Sequence, residues 1–328
     1  MITPAAVEYR DRTTGLLVFG VLEILLGALC FLMVALMLVG LLISDRYAGS
    51  PLTLRALVPG IGFYGALAVV FVWLGIGSIG ARRWARALWL CLSVIGLCMG
   101  LAALPFMLSM SSHFGEAAAQ SGGPPLPPTA RVIGEVFMVG SMLLAYVVIP
   151  GALFLFYRSP HVRHTCEVRD PVERWTDRCP MPVLGLSVFM AFGALGFLFL
   201  LGFGGVFPVF GRFLFGLAGR LLTLLAAGLW LYLAWGLYKL RKGIWWLALA
   251  AVLIVGISST MTLWASDLGA VYLKMGFDSR LAASAAEMGK LIFAKWYGSV
   301  WLLPWLAWLF YVRRYFPKAP AVGPTVGS

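Results

Sequence analysis

The sequence predicts an all-α integral membrane protein of about eight transmembrane helices, arranged as two parallel four-helix repeats. Three observations lead there. Of 328 residues, 61% are hydrophobic and only 12% charged, with a mean hydropathy of +0.93, whereas a soluble domain carries about 25% charged residues. Apolar runs near or above the roughly 20 residues that cross a hydrocarbon core of about 30 Å recur along the chain. Finally, GIGSIGARRWARALWL from Gly75 and WGLYKLRKGIWWLALA from Trp235 have the same layout: an apolar helix end, a knot of cations, tryptophan and a second apolar helix.

The expected spans are 15–43, 56–81, 86–110, 132–157, 183–208, 213–238, 243–265 and 291–313. The first is too long for a signal-peptide core and no small-residue cleavage site follows it, so it reads as a retained span. All must be helices, because lipid cannot satisfy free backbone groups and the alternation of a barrel is missing. The outer connections are 44–55, 111–131 and 266–290. Gly122, Gly123, Pro124, Pro125, Pro127 and Pro128 make the second irregular or extended. Asp278 or Ser279 would cap a short interfacial helix in the third, with Leu281, Ala285, Met288 and Ile292 on one side.

Orientation follows from lysine and arginine. Most of the 25 basic residues fall on one side: Arg10 and Arg12, the turn Arg82, Arg83 and Arg86, the linker arginines, the turn Lys239, Arg241 and Lys242, and Arg313, Arg314 and Lys318. That side is cytoplasmic by the positive-inside rule, and with an even span count both termini share it. The net charge of +12 and pI of about 9.8 would suggest nucleic acid in a soluble chain. Here the cations border apolar runs and no basic domain exists, so nucleic acid is not an expected partner. The bilayer is, together with anionic lipids at the inner face and other membrane proteins. The expected location is the cell membrane, a bacterial inner membrane in particular.

The repeated stretch has a consistent offset: it maps Arg82 and Arg83 onto Arg241 and Lys242, and Gly77 onto Gly236. A slightly shorter offset maps Pro150, Phe156 and Tyr157 onto Pro304, Phe310 and Tyr311. The organisation is therefore a first repeat 1–160, a cytoplasmic linker 161–181, a second repeat 182–318 and a disordered tail 319–328. Four spans per half is even, so both halves enter the bilayer from the same side. The cations of the two turns anchor the inner interface, with Trp84, Trp89, Trp245 and Trp246 at the same level.

Candidate chemistry is sparse. Gly75 to Gly80 reads G-I-G-S-I-G, but it lies inside an apolar span with no preceding strand. Its glycines are expected to let helices approach, as are Gly96 and Gly100. His161, His164, Cys166 and Cys179 form a weak metal candidate, opposed by the neighbouring Arg163, Arg169, Arg174 and Arg178. The alternative is a charged strap loosely paired through Arg174–Asp177 or Arg178–Glu173. Glu23 stands well inside the first span, where a carboxyl group is a functional hypothesis by default; the simpler readings are a protonated group or a bend back to Arg12 or a turn arginine. Its counterpart in the second half is Phe189. Ser258, Ser259 and Thr260 form the most polar patch within a span, and Arg220 lies slightly inside the outer face. Glu135 pairs most simply with Arg131 four residues earlier. No catalytic set, cofactor motif or resident metal site is expected.

Three functions remain. The leading one is a non-enzymatic scaffold or accessory membrane component. The alternative is a small-solute transporter or channel between the repeats near Glu23, lined by Ser187, Ser258, Ser259, Thr260 and Arg220. The third, an intramembrane lipid-modifying enzyme, has only Glu23 and the linker histidines to offer.

Overall fold

A computed structural model describes residues 9–47, 54–120, 128–277, 279, 282, 283, 286 and 292–316. The apolar runs form long helices. α1 is Thr13–Tyr47, α2 Leu54–Ile79 and α3 Arg83–Gln120. α4 (Pro128–Leu143) continues through a π-helical turn, Leu144–Val148, into α5 (Ile149–Arg158). The linker contributes α6 (Pro160–Arg169) and a 3-10 turn, Trp175–Arg178. α7 (Met181–Gly202), a hairpin of β1 (Phe207–Val209) and β2 (Arg212–Leu214), α8 (Gly216–Tyr238), α9 (Ile244–Ala265), α10 (Leu268–Met275) and α11 (Ile292–Val312) complete the chain. Among the described residues, 7 segments are long and apolar enough to cross a membrane. α11, where an eighth was expected, is a helix of 21 residues containing Pro304. Leu25, Phe31, Leu42, Phe137 and Leu225 are each more than half exposed, an apolar exterior that only lipid solvates well.

The structure revises several boundaries. α3 runs on to Gln120 where an irregular loop was expected from 111, so only 121–127 of that loop lie outside the described residues. The spans expected at 183–208 and 213–238 overreach: α7 stops at Gly202 and α8 starts at Gly216, with the antiparallel hairpin between them, pairing Phe207 with Leu214 and Val209 with Arg212. Phe210 and Gly211 turn it, both at positive φ (34° and 97°), as a two-residue hairpin turn requires. A separate short helix precedes the one expected from Asp278 or Ser279. It is α10, capped by the Asp267 carboxylate accepting from Gly269 N at 2.9 Å and ended by Gly276 at φ 90°. Of the expected helix, residues 279, 282, 283 and 286 are described and helical; the remainder of 278–291, and the tail 319–328, lie outside the described residues.

The two basic turns have the same geometry. Ala81 (φ 47°) and Leu240 (φ 51°) are left-handed residues at equivalent places. Ala81 N donates to Ser78 O and Arg82 N to Gly77 O, both at 2.9 Å. Leu240 N donates to Leu237 O at 2.9 Å and Arg241 N to Gly236 O at 3.1 Å. This pair of bonds closes a helix and reverses the chain. The packing also recurs: α1 lies on α2 and α7 on α8, while α3 lies on α5 and α9 on α11. Two apolar cores result. Leu16, Leu74, Leu88, Leu153 and Tyr157 centre the first, and Leu184, Met190, Leu233, Ala248 and Leu309 the second. α3 joins them, with Trp89 in the first and Ala87 and Cys91 in the second.

Candidate functional site

Each of the four spanning rods of the first half supplies one polar group to a common point. Glu23 comes from α1, Ser78 from α2, Trp89 from α3 and Tyr157 from α5. Glu23 is 3% exposed and Tyr157 fully buried. The Tyr157 hydroxyl donates to Glu23 Oε1 at 2.7 Å and lies 2.7 Å from Ser78 Oγ. Trp89 brings its indole nitrogen towards the same carboxyl, but Trp89 Nε1 and Glu23 Oε2 are both buried without a hydrogen-bond partner. The rings of Phe71 and Tyr157 both lie nearly parallel to the Trp89 ring, at centroid distances of 5.9 and 6.2 Å.

Local structure explains why these groups meet. Gly20 lies against the backbone of Gly75 and Ile79, and a Cβ at Gly75 would come 2.7 Å from Gly20 O. The glycine run thus lets α1 and α2 touch, as expected, and Ser78 is the one polar residue it carries inwards. Gly100 lets α3 approach the carbonyl of Tyr146 in the π-helical turn. Ser78 and Tyr157 each sit next to the last residue of their helix, so the cluster lies beneath the arginine turn and away from the middle of the helices.

The linker closes over this cluster. Arg86 Nε donates to Tyr157 O at 3.1 Å. Asp170 accepts from Arg174 at 2.6 and 3.0 Å and from Arg83 N at 3.3 Å. Arg82 lies 3.7 Å from Asp170, and Arg83 lies 3.8 Å from Asp177. The Arg174 hydrogen bonds hold the Asp170 carboxyl below its ordinary pKa. Val162 and Cys166 are buried in the first core, and Thr165 Oγ1 accepts from Arg12 N at 3.0 Å. The linker is therefore a folded cap, and the expected loose pairings give way to a bidentate Arg174–Asp170 bridge. The side chain of Asp177 instead accepts from Arg174 N at 2.9 Å.

The other sequence candidates are not brought to this point. Ser258 Oγ donates to Pro208 O at 2.9 Å and accepts from Phe210 N at 3.0 Å, while Thr262 Oγ1 accepts from Gly211 N at 3.0 Å. These groups fasten the β1–β2 hairpin to α9. Ser259 and Thr260 are half-buried and Arg220 is exposed on α8. Glu23 and Ser258 thus serve different halves. The metal candidate is dispersed. His164 stacks on Tyr9 at 4.3 Å and His161 Nδ1 accepts from Arg10 N. Cys166 and Cys179 lie in different cores, their thiols pushed up to about 11 by burial. Among the described residues no three metal-ligating side chains converge. Lys239, Arg241 and Lys242 are exposed at the second turn, with Arg241 stacked on Trp235 at 4.0 Å. Trp89 and Trp245, expected as headgroup anchors, are only 3% exposed, and Trp245 Nε1 donates to Leu309 O at 2.7 Å. The side chain of Arg131 lies outside the described set.

Sequence reasoning found Glu23 but missed its partners. Tyr157 was visible only as a repeat landmark and Trp89 only as an anchor. No known family model matches the chain, and comparison with curated proteins and with solved structures returns no relative.

Proposed function

We propose that this chain is a non-enzymatic scaffold or accessory component of the cell membrane. It crosses eight times as two parallel four-helix repeats, with both termini on the cytoplasmic face. The duplicated turn at Ala81 and Leu240, and the recurring helix pairing, support the repeat. One observation carries the functional reading: polar side chains within the spans bond to the protein itself. Glu23 and Ser78 meet Tyr157, Ser187 Oγ donates to Ala234 O at 2.6 Å, and Ser258 and Thr262 hold the outer hairpin. The Glu23 cluster ties four helices together near their basic end, whereas transporter sites lie characteristically near the midplane.

A second reading, a proton- or ion-coupled transporter working through Glu23, is favoured by the unpartnered Glu23 Oε2 and Trp89 Nε1. Reconstitution into vesicles carrying a pH-sensitive dye separates the two. The scaffold reading expects the same proton leak from the wild type and from Glu23→Gln under an imposed pH gradient. A wild-type flux that Glu23→Gln abolishes, with the variant still folded, would replace it by the transporter.

A further inference from the structure

A cavity of about 620 Å³ lies between the two halves and touches neither Glu23 nor the β1–β2 hairpin. Its floor is α3 and α7: Leu90, Cys91, Val94 and Cys98 on one, Gly185 on the other. Its lips are α5 and α11, where Arg158, Ala307 and Tyr311 are exposed. Gly185 is needed there because Trp308 lies flat on it: a Cβ would come 2.7 Å from the indole. Trp308 Nε1 donates to Pro182 O at 3.0 Å and fixes that wall.

The cavity is polarised along the helices. Along α3 the floor from Leu90 to Cys98 rises about 12 Å at 1.5 Å per residue, close to one leaflet of a hydrocarbon core about 30 Å thick. That stretch is apolar. The polar groups gather at the basic end. Arg158 ends α5 and stands 5.5 Å from the Phe154 ring, which also lines the cavity. Arg314, just past α11, stands 4.1 Å from the ring of Tyr311 on the opposite lip. Stacking on an aromatic face leaves a guanidinium its in-plane donors, one of which Arg314 gives to the Tyr315 hydroxyl at 3.1 Å. Among the described residues neither arginine pairs with a carboxylate.

We propose that this groove holds one anionic phospholipid of the leaflet at the basic face, its acyl chain against α3 and α7 and its phosphate between Arg158 and Arg314. Charge selects the occupant. An uncharged apolar chain would fill the floor but leave Arg158 at the mouth, and Arg314 against Tyr311, without an anion. Basic pockets between spanning helices on the cytoplasmic side are suited to anionic headgroups. The proposal goes beyond the scaffold reading and does not depend on it, since a transporter could carry the same lipid.

The test is lipid retention. The full chain is reconstituted in equimolar phosphatidylcholine and phosphatidylglycerol vesicles and re-extracted in mild detergent, and the tightly held lipid is measured by mass spectrometry. Phosphatidylglycerol should be enriched. Arg158→Gln with Arg314→Gln should lower that enrichment about thirty-fold, at roughly five-fold per basic group near the surface, while Arg241→Gln with Lys242→Gln leaves it intact. Ala307→Trp, which fills the groove from its exposed lip, should expel the lipid. Ala307→Leu serves if the tryptophan variant does not fold. Enrichment that survives both groove variants, or falls equally in the second-turn control, overturns the proposal and leaves only a diffuse surface attraction. Absence of enrichment in the wild type overturns it as well.

Discussion

Replacing Tyr157 by phenylalanine removes one oxygen atom from a fully buried site and breaks two contacts of 2.7 Å, to Glu23 Oε1 and to Ser78 Oγ. An interhelical hydrogen bond within a membrane contributes about 0.6 kcal/mol on average and at most about 1.7. The larger effect is that Glu23 loses the Tyr157 hydrogen bond on Oε1 while Oε2 already has no partner, and an orphaned buried polar group costs about 1–3 kcal/mol. Tyr157→Phe should therefore destabilise by about 2–3 kcal/mol, read as the midpoint of reversible unfolding in mixed micelles on titration with SDS. Ser78→Ala should cost only about 0.6 kcal/mol, because Tyr157 keeps its bond to the carboxyl. The informative experiment is a double-mutant cycle with Glu23→Leu. Removing both partners restores an apolar interior, so the double variant should be more stable than the sum of the two losses by about 1–2 kcal/mol. A coupling below about 0.5 kcal/mol, the level at which unlinked sites add, would refute the account of Glu23 as a helix tie.

Asp170→Asn should lower stability by about 1–2 kcal/mol at neutral pH, since Asp170 is buried but Arg174 is a third exposed. Because the folded pKa of Asp170 is depressed below 3.8, its contribution is fully present above 3.8 and is lost as the pH falls on through the lower folded pKa. The gap between wild type and variant, followed by the same unfolding titration, should close in acid. Cys166 and Cys179, pushed up to about 11, expose roughly one thiolate in a thousand at pH 8; both should resist maleimide in the folded protein and label fully in SDS, as read by mass. Ser258→Ala should cost about 1–2 kcal/mol and speed amide exchange in 207–214 with little change in α1 to α5.

The spanning helices were legible because the length of an apolar run is a local property, and Glu23 because a lone carboxyl inside such a run stands out. Its partners were hidden for the opposite reason. Ser78 sits in a glycine run, Trp89 beside arginines and Tyr157 at a span end, so each had a sufficient local explanation; only the docking of four rods brings them together. The hairpin was masked by its own apolarity, since GFGGVFPVFGRFLFG merges with both flanking spans. Its signal was the Phe210-Gly211 pair, preceded by Gly204 and Gly205 at positive φ. The linker helix α6 carried a fainter sign. Val162 and Cys166 are spaced by one helical turn, a short apolar stripe behind a proline start, but its many charges pointed to a solvated strap.

The π-helical turn at Leu144–Val148 sets the rotational phase of α5 relative to α4. It inserts the slack of a single residue into an otherwise continuous rod, and one residue of an α-helix is about 100° of rotation. In α4 Val132, Ile133, Val136 and Phe137 are all strongly exposed, whereas beyond the turn Leu153 and Tyr157 point inwards. Deleting one residue from this turn would leave composition, span length and hydropathy almost untouched. It would nonetheless swing the tyrosine hydroxyl about a quarter-circle out of the bundle, into hydrocarbon with nothing to bind.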